Sequence, residues 1–291
     1  MKSRNLVIKN ISYLFQSILI YFFFLIGFIL GIKISRTLFA FLFSVIGPIF
    51  RSREIIDKNI DIFSSKASNI NKQKISSQMW KNYGMTFIEY IFLKKFRFNE
   101  SHIKIKGKEN IYENLKNNKP VIFVSGHFAN FELMAMEITK MNIKLASIYR
   151  PLNNKFLNPF MEHIREKYVC NKQIKKGING VREVIDYLKK DYSIALMIDQ
   201  RVSEGEKINF FGKEALTTTL PAQLAKKYNL DIIPVYIERV KNNNFLIEFQ
   251  KPLSPKNFGN KLEISKELNK VLEKMILKNP GQWIWSHNRW K

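Results

Sequence analysis

The sequence predicts an α/β domain with a mixed, largely parallel sheet flanked by helices, behind an N-terminal transmembrane helix. Three observations support this fold class. Residues 10–32 contain no charged side chain and are mostly apolar. Strand-like apolar runs then alternate with helix-like amphipathic runs along the rest of the chain. No linker rich in Pro, Gly or Ser interrupts this alternation, so residues 54–291 form one domain and residues 1–53 form its membrane anchor.

The first apolar run is long enough to span a membrane. As a helix, residues 10–32 extend about 35 Å, which exceeds the ~30 Å hydrocarbon core of a bilayer. A cleaved signal peptide is an alternative, but its apolar core is normally shorter and ends at a small-residue site, and no Ala-x-Ala follows here. A buried helix is a further alternative. Residues 37–50 are too few for a second span and include Pro48, which favours an interfacial helix or the floor of an acyl groove.

Basic residues close to these apolar runs bear on the orientation of the anchor. Those that follow the first run favour a position of the protein body on the cytoplasmic side, whereas Lys2, Arg4 and Lys9 upstream act against that orientation. The favourable set is Lys33, Arg36, Arg51 and Arg53.

The charge balance predicts an anionic partner. Lys and Arg number 48 and Asp and Glu 24, a formal net charge of +24. Nucleic acid, an acidic protein and a phospholipid or lipopolysaccharide surface would all satisfy it. No nucleic-acid reader motif is present and the charge is spread along the chain, which disfavours nucleic acid. The single cysteine, Cys170, excludes a disulfide within the chain and a Cys-based zinc site, and no histidine lies next to it to mark it as a nucleophile.

The elements after the anchor can be placed in order. Alternation over residues 102–106 before Gly107 predicts an edge strand, and the turn at 241–244 predicts an antiparallel pair late in the chain. The predicted strands are 102–106, 120–126, 144–151, 192–199, 230–240 and 245–253, and the predicted helices are 78–92, 130–142, 155–168, 178–191, 217–229 and 263–280.

A histidine and a glutamate flank the predicted turn from strand to helix in "VIFVSGHFANFELMAME", residues 121–137. On a continuous helix a five-residue step would separate the two side chains by ~140°. His127 and Glu132 can therefore meet only if the histidine lies in the turn and the glutamate in the first helical turn. Gly126 permits such a turn, and Asn130 is the predicted N-cap.

This pair has the chemistry of a general base with an orienting carboxylate. An ionised Glu132 near the helix N-terminus would bond one imidazole nitrogen of His127 and leave the other to take a proton from a hydroxyl. The substrate hydroxyl would then replace the serine of an acyl-transfer triad. A capped helix with an incidental histidine is the structural alternative. A metal site is disfavoured because the zinc helix motif needs histidines at i and i+4, and the other histidines are scattered.

Motifs further along the chain place this pair in a family context. With "GHFANFE", they resemble the lipid A late acyltransferases, the lauroyl and myristoyl transferases of lipopolysaccharide biosynthesis, which are a branch of the lysophospholipid acyltransferase superfamily. The resemblance extends from the anchor to Lys291, and glutamate where phospholipid acyltransferases usually carry aspartate indicates the lipid A branch. The motifs are "YRP" at 149–151, "IREKYVCNK" with Arg165, "IDQR" at 198–201, "NFFGKEALTTTLPAQLA" and the terminal "NPGQWIWSHNRWK".

The resemblance implies roles for individual residues. His127 and Glu132 match the catalytic dyad, Arg165 and Asp199 match residues needed for activity, and Arg150 matches a structural or phosphate-binding residue. The sequence departs from the family after Arg165, where "REKYVCNK" stands in place of a tighter "RxRSNK"-type run. From the residues alone, the two arginines could clamp phosphates or form surface ion pairs, and Asp199 could lie in a site at a strand end or cap a loop.

The resemblance also implies a reaction. A fatty acyl chain would pass from an acyl carrier protein thioester to a hydroxyl of a lipid A precursor of the Kdo-lipid IVA type, at the bacterial inner membrane with the catalytic domain facing the cytoplasm. No metal and no bound cofactor are expected, since phosphopantetheine arrives on the carrier protein. Expected partners are that acidic protein, the phosphorylated glycolipid and the membrane, without nucleic acid. Another glycolipid or lysophospholipid acceptor, a CoA donor and a membrane-anchored nucleic-acid-binding protein are the alternatives.

Overall fold

The computed structural model of the protein describes residues 2–50, 53–64, 71–116 and 119–291. Arg51, one of the cations expected to orient the anchor, lies outside these ranges. Ten α-helices and nine strands lie in the described part of the chain. The helices are α1 (Lys2–Phe50), α2 (Arg53–Ser64), α3 (Lys72–Glu89), α4 (Leu93–Phe98), α5 (Glu109–Lys116), α6 (Glu132–Lys140), α7 (Asn158–Tyr168), α8 (Ile178–Leu188), α9 (Leu220–Tyr228) and α10 (Lys261–Lys278). The strands are β1 (Ile103–Lys106), β2 (Ile122–Ser125), β3 (Leu145–Tyr149), β4 (Gln173–Lys175), β5 (Ser193–Met197), β6 (Glu206–Phe210), β7 (Lys213–Thr217), β8 (Ile232–Arg239) and β9 (Phe245–Phe249).

The predicted span and the predicted interfacial segment lie on one helix, α1, which bends at Gly31 (φ 71°) and includes Pro48. Of the described residues, those from Val7 to Ile49 form the one helix that is long and apolar enough to cross a membrane, judged by length and composition. The division of the anchor at residues 32 and 37 and the domain boundary at residue 53 stay predictions.

α1 packs closely against α3. A Cβ on Gly84 of α3 would lie 2.0 Å from the carbonyl oxygen of Phe39, and a Cβ on Gly47 of α1 would lie 2.4 Å from the ring of Trp80. Both positions therefore require glycine, because any larger residue would push the helices apart. One face of the predicted anchor is thus part of the packed body of the protein.

The predicted mixed, largely parallel sheet is confirmed. Seven strands lie in the order β1-β9-β8-β2-β5-β3-β4, and every neighbouring pair is parallel except β8–β9. β1 is the edge strand that the alternation predicts, and β8 and β9 form the predicted antiparallel pair. β2 and β5 lie at the centre and are almost wholly buried, as expected for parallel strands covered on both faces.

Helices cover both faces of the sheet. Phe123 of β2 packs with Leu133 and Met136 of α6 on one face. Its neighbours Ile122 and Val124 pack on the other face, in the cluster that contains residues of α8, α9 and α10. This alternation follows from the two-residue period of a strand and gives the molecule three layers.

A buried charge cluster connects α1 to the sheet. Arg36 Nε lies 2.6 Å from Glu89 Oε1, and Arg239 Nη1 lies 2.5 Å from the same oxygen. Glu89 is fully buried and each arginine is 7% exposed. Arg36, expected from the sequence to act as an orienting cation near the membrane surface, instead forms an ion pair inside the protein.

Candidate active site

The sheet register brings His127 and Asp199 together. Ser125, the last residue of β2, pairs with Met197, the last residue of the adjacent parallel strand β5. His127 and Asp199 each follow two residues later, so both lie at the carboxyl edge of the sheet, where α/β proteins place their sites. The Nδ1 atom of His127 lies 2.8 Å from Oδ1 of Asp199.

Asp199 is a buried acceptor of three hydrogen bonds. It is 1% exposed, and its Oδ2 accepts the backbone N–H of His127 at 2.7 Å and the indole N–H of Trp283 at 2.9 Å. Burial raises the pKa of Asp199, but the charge of His127 and these hydrogen bonds outweigh burial, so the pKa lies below its usual value. The group is therefore an ionised carboxylate.

The charge of Asp199 acts on the imidazole in turn. Burial lowers the pKa of His127, but the charge and the hydrogen bond of Asp199 outweigh this effect, so the pKa lies above its usual value. Because Nδ1 is held by a carboxylate, the neutral ring carries its proton there and presents Nε2 as the basic nitrogen. The side chain of His127 is 19% exposed, so solvent or a substrate can reach the ring.

The turn that carries His127 is held in a left-handed conformation at Ala129, whose φ is 44°. Its carbonyl oxygen accepts hydrogen bonds from Thr86 Oγ1 at 2.9 Å and Asn82 Nδ2 at 3.3 Å, and its N–H donates to the carbonyl of Gln282 at 3.1 Å. These three bonds stabilise a backbone conformation that is rare outside glycine. Asn130 is not the N-cap expected from the sequence, because its side chain donates to Glu89 instead.

Glu132 lies at the first position of α6, as predicted, but its partner is not His127. Its Oε1 accepts hydrogen bonds from Tyr90 Oη at 2.6 Å and from Arg165 Nε at 2.8 Å. The predicted hydrogen bond between Glu132 and the imidazole of His127 is therefore wrong. The sheet register places Asp199, and not Glu132, beside Nδ1 of His127. That Glu132 has a catalytic role stays a prediction.

Arg165 is held in a mostly buried cluster with Glu132 and Tyr90. Its Nη2 lies 2.6 Å from Glu132 Oε1 and 2.9 Å from the oxygen of Tyr90. Burial lowers the pKa of Arg165, but the nearby carboxylate more than compensates, and the pKa lies above its usual value. The surface ion pair considered from the sequence is replaced by an inward-facing one. The charge of Glu132 raises the pKa of His127 and the charge of Arg165 lowers it.

Arg150 lies apart from this cluster. It follows β3 and is exposed. Burial lowers the pKa of Lys176, and the nearby charge of Arg150 lowers it further. The structure thus brings together His127 with Asp199 and Glu132 with Arg165, but does not join Arg150 to either pair.

The tryptophans of the C-terminal motif lie in the core of the protein. Trp283 and Trp285 are 1% and 0% exposed, and Trp290 is 8% exposed. Trp283 and Tyr90 are site residues without a role predicted from the sequence. Trp283 lies in the terminal motif, whereas no sequence signal indicates Tyr90. Trp283 also borders a small cavity of about 20 Å³ beside His127. The cavity is lined by Asn82, Tyr83, Thr86, His127, Ala129, Phe131, Gln282, Trp283 and Ile284.

The other candidate chemistries lack support in the described residues. Cys170 is buried, and burial raises the pKa of its thiol, which makes it a poor nucleophile. Within residues 2–50, 53–64, 71–116 and 119–291, no group of three or more His, Cys, Asp or Glu side chains is placed to hold a metal ion.

Comparison with known proteins identifies relatives along nearly the whole chain. Residues 2–291 match the model of a family described as "Bacterial lipid A biosynthesis acyltransferase". The lipid A biosynthesis palmitoleoyltransferase of Escherichia coli (strain K12) is 24% identical over 252 residues, which cover 84% of this chain and 80% of that protein. The lipid A biosynthesis lauroyltransferase of the same organism is 22% identical over 250 residues, with 83% and 79% covered. The crystal structure of the 1-acyl-sn-glycerophosphate acyltransferase of Thermotoga maritima superposes with a TM-score of 0.44 at 16% identity, covering 87% of this chain and 100% of that chain.

Proposed function

Because the chain belongs to the bacterial lipid A biosynthesis acyltransferase family, we propose that it transfers a fatty acyl chain from an acyl carrier protein thioester to a hydroxyl of a lipid A precursor of the Kdo-lipid IVA type, with His127 as general base. The observation that carries the proposal is the contact of His127 Nδ1 with the buried Asp199 carboxylate at 2.8 Å. This contact leaves Nε2 as the nitrogen that accepts a proton.

In the proposed reaction the acceptor hydroxyl loses its proton to His127 Nε2 as its oxygen attacks the thioester carbonyl. The resulting tetrahedral intermediate carries a negative oxygen. Its collapse forms the ester and breaks the carbon–sulfur bond, and the imidazolium returns the proton to the departing phosphopantetheine thiolate. Asp199 stabilises the imidazolium throughout, as the carboxylate of a serine-hydrolase triad does.

Glu132 and Arg165 have a second role in this proposal. The charges of both Glu132 and Arg165 act on His127, and in this proposal the guanidinium, held by Glu132 and Tyr90, stabilises the negative oxygen of the intermediate. Glu132 therefore acts by fixing the arginine, and Asp199 takes the orienting role that the sequence predicts for Glu132. Arg150, exposed beside Lys176, is suited to bind a substrate phosphate.

The net charge supports the proposed partners. A chain with a formal charge of +24 attracts an acidic carrier protein, a phosphorylated glycolipid and an anionic membrane surface. In this proposal α1 anchors the protein in the bacterial inner membrane and the catalytic domain lies on the cytoplasmic side. No metal ion or resident organic cofactor takes part, because the donor brings its own phosphopantetheine.

The test is acyl transfer by the full-length protein in detergent micelles. A tetraacyl lipid A precursor, with and without its Kdo sugars, is offered with acyl carrier protein or CoA thioesters. We expect transfer from the carrier protein to the Kdo-bearing acceptor. Preference for CoA would contradict the proposed donor, and transfer to a lysophospholipid in place of the precursor would contradict the acceptor.

The role of His127 is tested by H127A with H163A as the matched control. His163 is an exposed histidine on α7. We expect H127A to lose at least 10²-fold in kcat, the lower range for general acid–base catalysis, and H163A to keep wild-type activity. Full activity in H127A would contradict the proposed base.

A further inference from the structure

The indole of Trp283 reaches the carboxylate that holds His127. Trp283 is 1% exposed, and its Nε1–H donates to Asp199 Oδ2 at 2.9 Å. The same oxygen accepts the backbone N–H of His127, while Oδ1 accepts the ring Nδ1. Both carboxylate oxygens of Asp199 therefore have defined hydrogen-bond partners.

These three hydrogen bonds hold the carboxylate of Asp199 in one orientation. Rotation about its Cβ–Cγ bond would move Oδ1 away from the imidazole and leave buried N–H donors without an acceptor, which is costly in the protein interior. The indole N–H provides a fixed direction because the ring is rigid and itself packed. It meets Trp285 edge-on with 4.6 Å between ring centroids and packs against Phe210.

The segment that carries Trp283 also holds the turn at His127. The carbonyl of Gln282 accepts the N–H of Ala129, and the Gln282 side chain forms two hydrogen bonds with the backbone of Arg239 on β8. Two consecutive residues thus connect the sheet, the turn that carries the histidine and the carboxylate opposite it.

We propose that Trp283 is a positioning residue for acyl transfer, whose indole N–H fixes the Asp199 carboxylate so that Oδ1 faces the imidazole. This inference rests on the proposed function, in which His127 is the base. It gives a role in the reaction to the C-terminal segment, which is far from His127 along the chain.

Removal of the Trp283 N–H donor should change the pKa of His127 in a predictable direction. The charged groups around the pair include Glu132 and Arg165, whose charges act on His127, and Arg289, whose pKa is lowered by burial and partly restored by the charge of Asp199. These remain when Trp283 is changed. A carboxylate with one donor fewer is more basic, so it favours the imidazolium and raises the pKa of His127. The acid limb of kcat/KM then moves to higher pH, since the base works only when neutral.

The matched variants are W283F and W285F. Both replace a buried indole by a smaller ring, but the Trp285 N–H donates to the carbonyl of Pro280, at 2.7 Å, and not to Asp199. We expect W283F to lose about 10- to 100-fold in kcat, the range for a hydrogen bond to a charged group, with little change in KM. W285F removes an edge-on neighbour of the Trp283 ring but keeps the N–H donor to Asp199, so we expect a smaller loss in kcat than in W283F and an acid limb at the wild-type pH.

Two results would overturn the assignment. One is a W283F enzyme whose kcat and pH profile match those of W285F. The other is a lower kcat with an unmoved acid limb, which would mean that Trp283 acts through packing alone. H127A, assayed in parallel, separates the two proposals: if H127A is active, the base is wrong, whereas an inactive H127A with W283F equal to W285F removes only the role of Trp283.

Discussion

Oδ1 of Asp199 lies 2.8 Å from Nδ1 of His127, and the two residues follow adjacent parallel strands by the same two-residue step. The strand register thus sets the relation between a proposed base and its carboxylate. Glu132, closer to His127 in the chain, bonds Arg165 and Tyr90 instead. The structure therefore separates two carboxylates that the motif alone cannot distinguish.

The first prediction concerns the carboxylate of Asp199. D199N keeps the shape of the side chain but presents an amide, which stabilises neither the correct imidazole tautomer nor the imidazolium. We expect kcat to fall by up to about 10⁴-fold, as in the serine-protease triad. The measurement is single-turnover acyl transfer. D186N, a change of the same chemistry on α8, is the control, and equal activity of the two variants would exclude Asp199 from the mechanism.

The second prediction is the pH dependence of kcat/KM. His127 must be neutral to accept a proton, so activity rises with pH through its pKa, which the charge of Asp199 holds above the usual value of 6.5. In D199N that charge is absent while the lowering effect of burial remains, so the pKa of His127 falls and the residual activity should begin to rise at lower pH. Profiles measured at constant ionic strength check the sign, and a limb that moves to higher pH in D199N would contradict it.

The third prediction concerns Glu132 and Arg165, which act as one unit if the glutamate serves to hold the guanidinium. E132A and R165A should each reduce kcat, and the double variant should lose little more than the worse single variant. A double-mutant cycle on kcat measures this coupling. Additive losses would show that the two residues act separately, as they would if Glu132 oriented His127 directly.

The fourth prediction concerns the stability of the buried cluster on α3. E89Q leaves Arg36 and Arg239 without their negative partner, so we expect the free energy of unfolding to fall by about 3–5 kcal/mol. E248Q, which breaks the partly exposed pair with Lys278, should cost less than about 1 kcal/mol. Denaturant unfolding in detergent measures both changes. A similar loss in the two variants would contradict a special role for the buried cluster.

Most of the regular structure was predictable because it depends on local pattern. The buried runs at β2, β5 and β8 and the edge alternation at β1 were recognised from residue periodicity. β4 was missed because three residues, Gln173–Lys175, are too few to display a period. The hairpin β6–β7 was also missed, although Gly212, at φ 81°, lies in the turn between its strands.

The sequence by itself determined the apolar N-terminal helix, the α/β class and the position of His127 at the end of a central strand, since these depend on composition and spacing within short segments. Only the tertiary structure decided which acid meets the histidine. That choice depends on the register between strands 72 residues apart and on a C-terminal tryptophan that donates to the same carboxylate, and both contacts are set by packing over long separations in the chain.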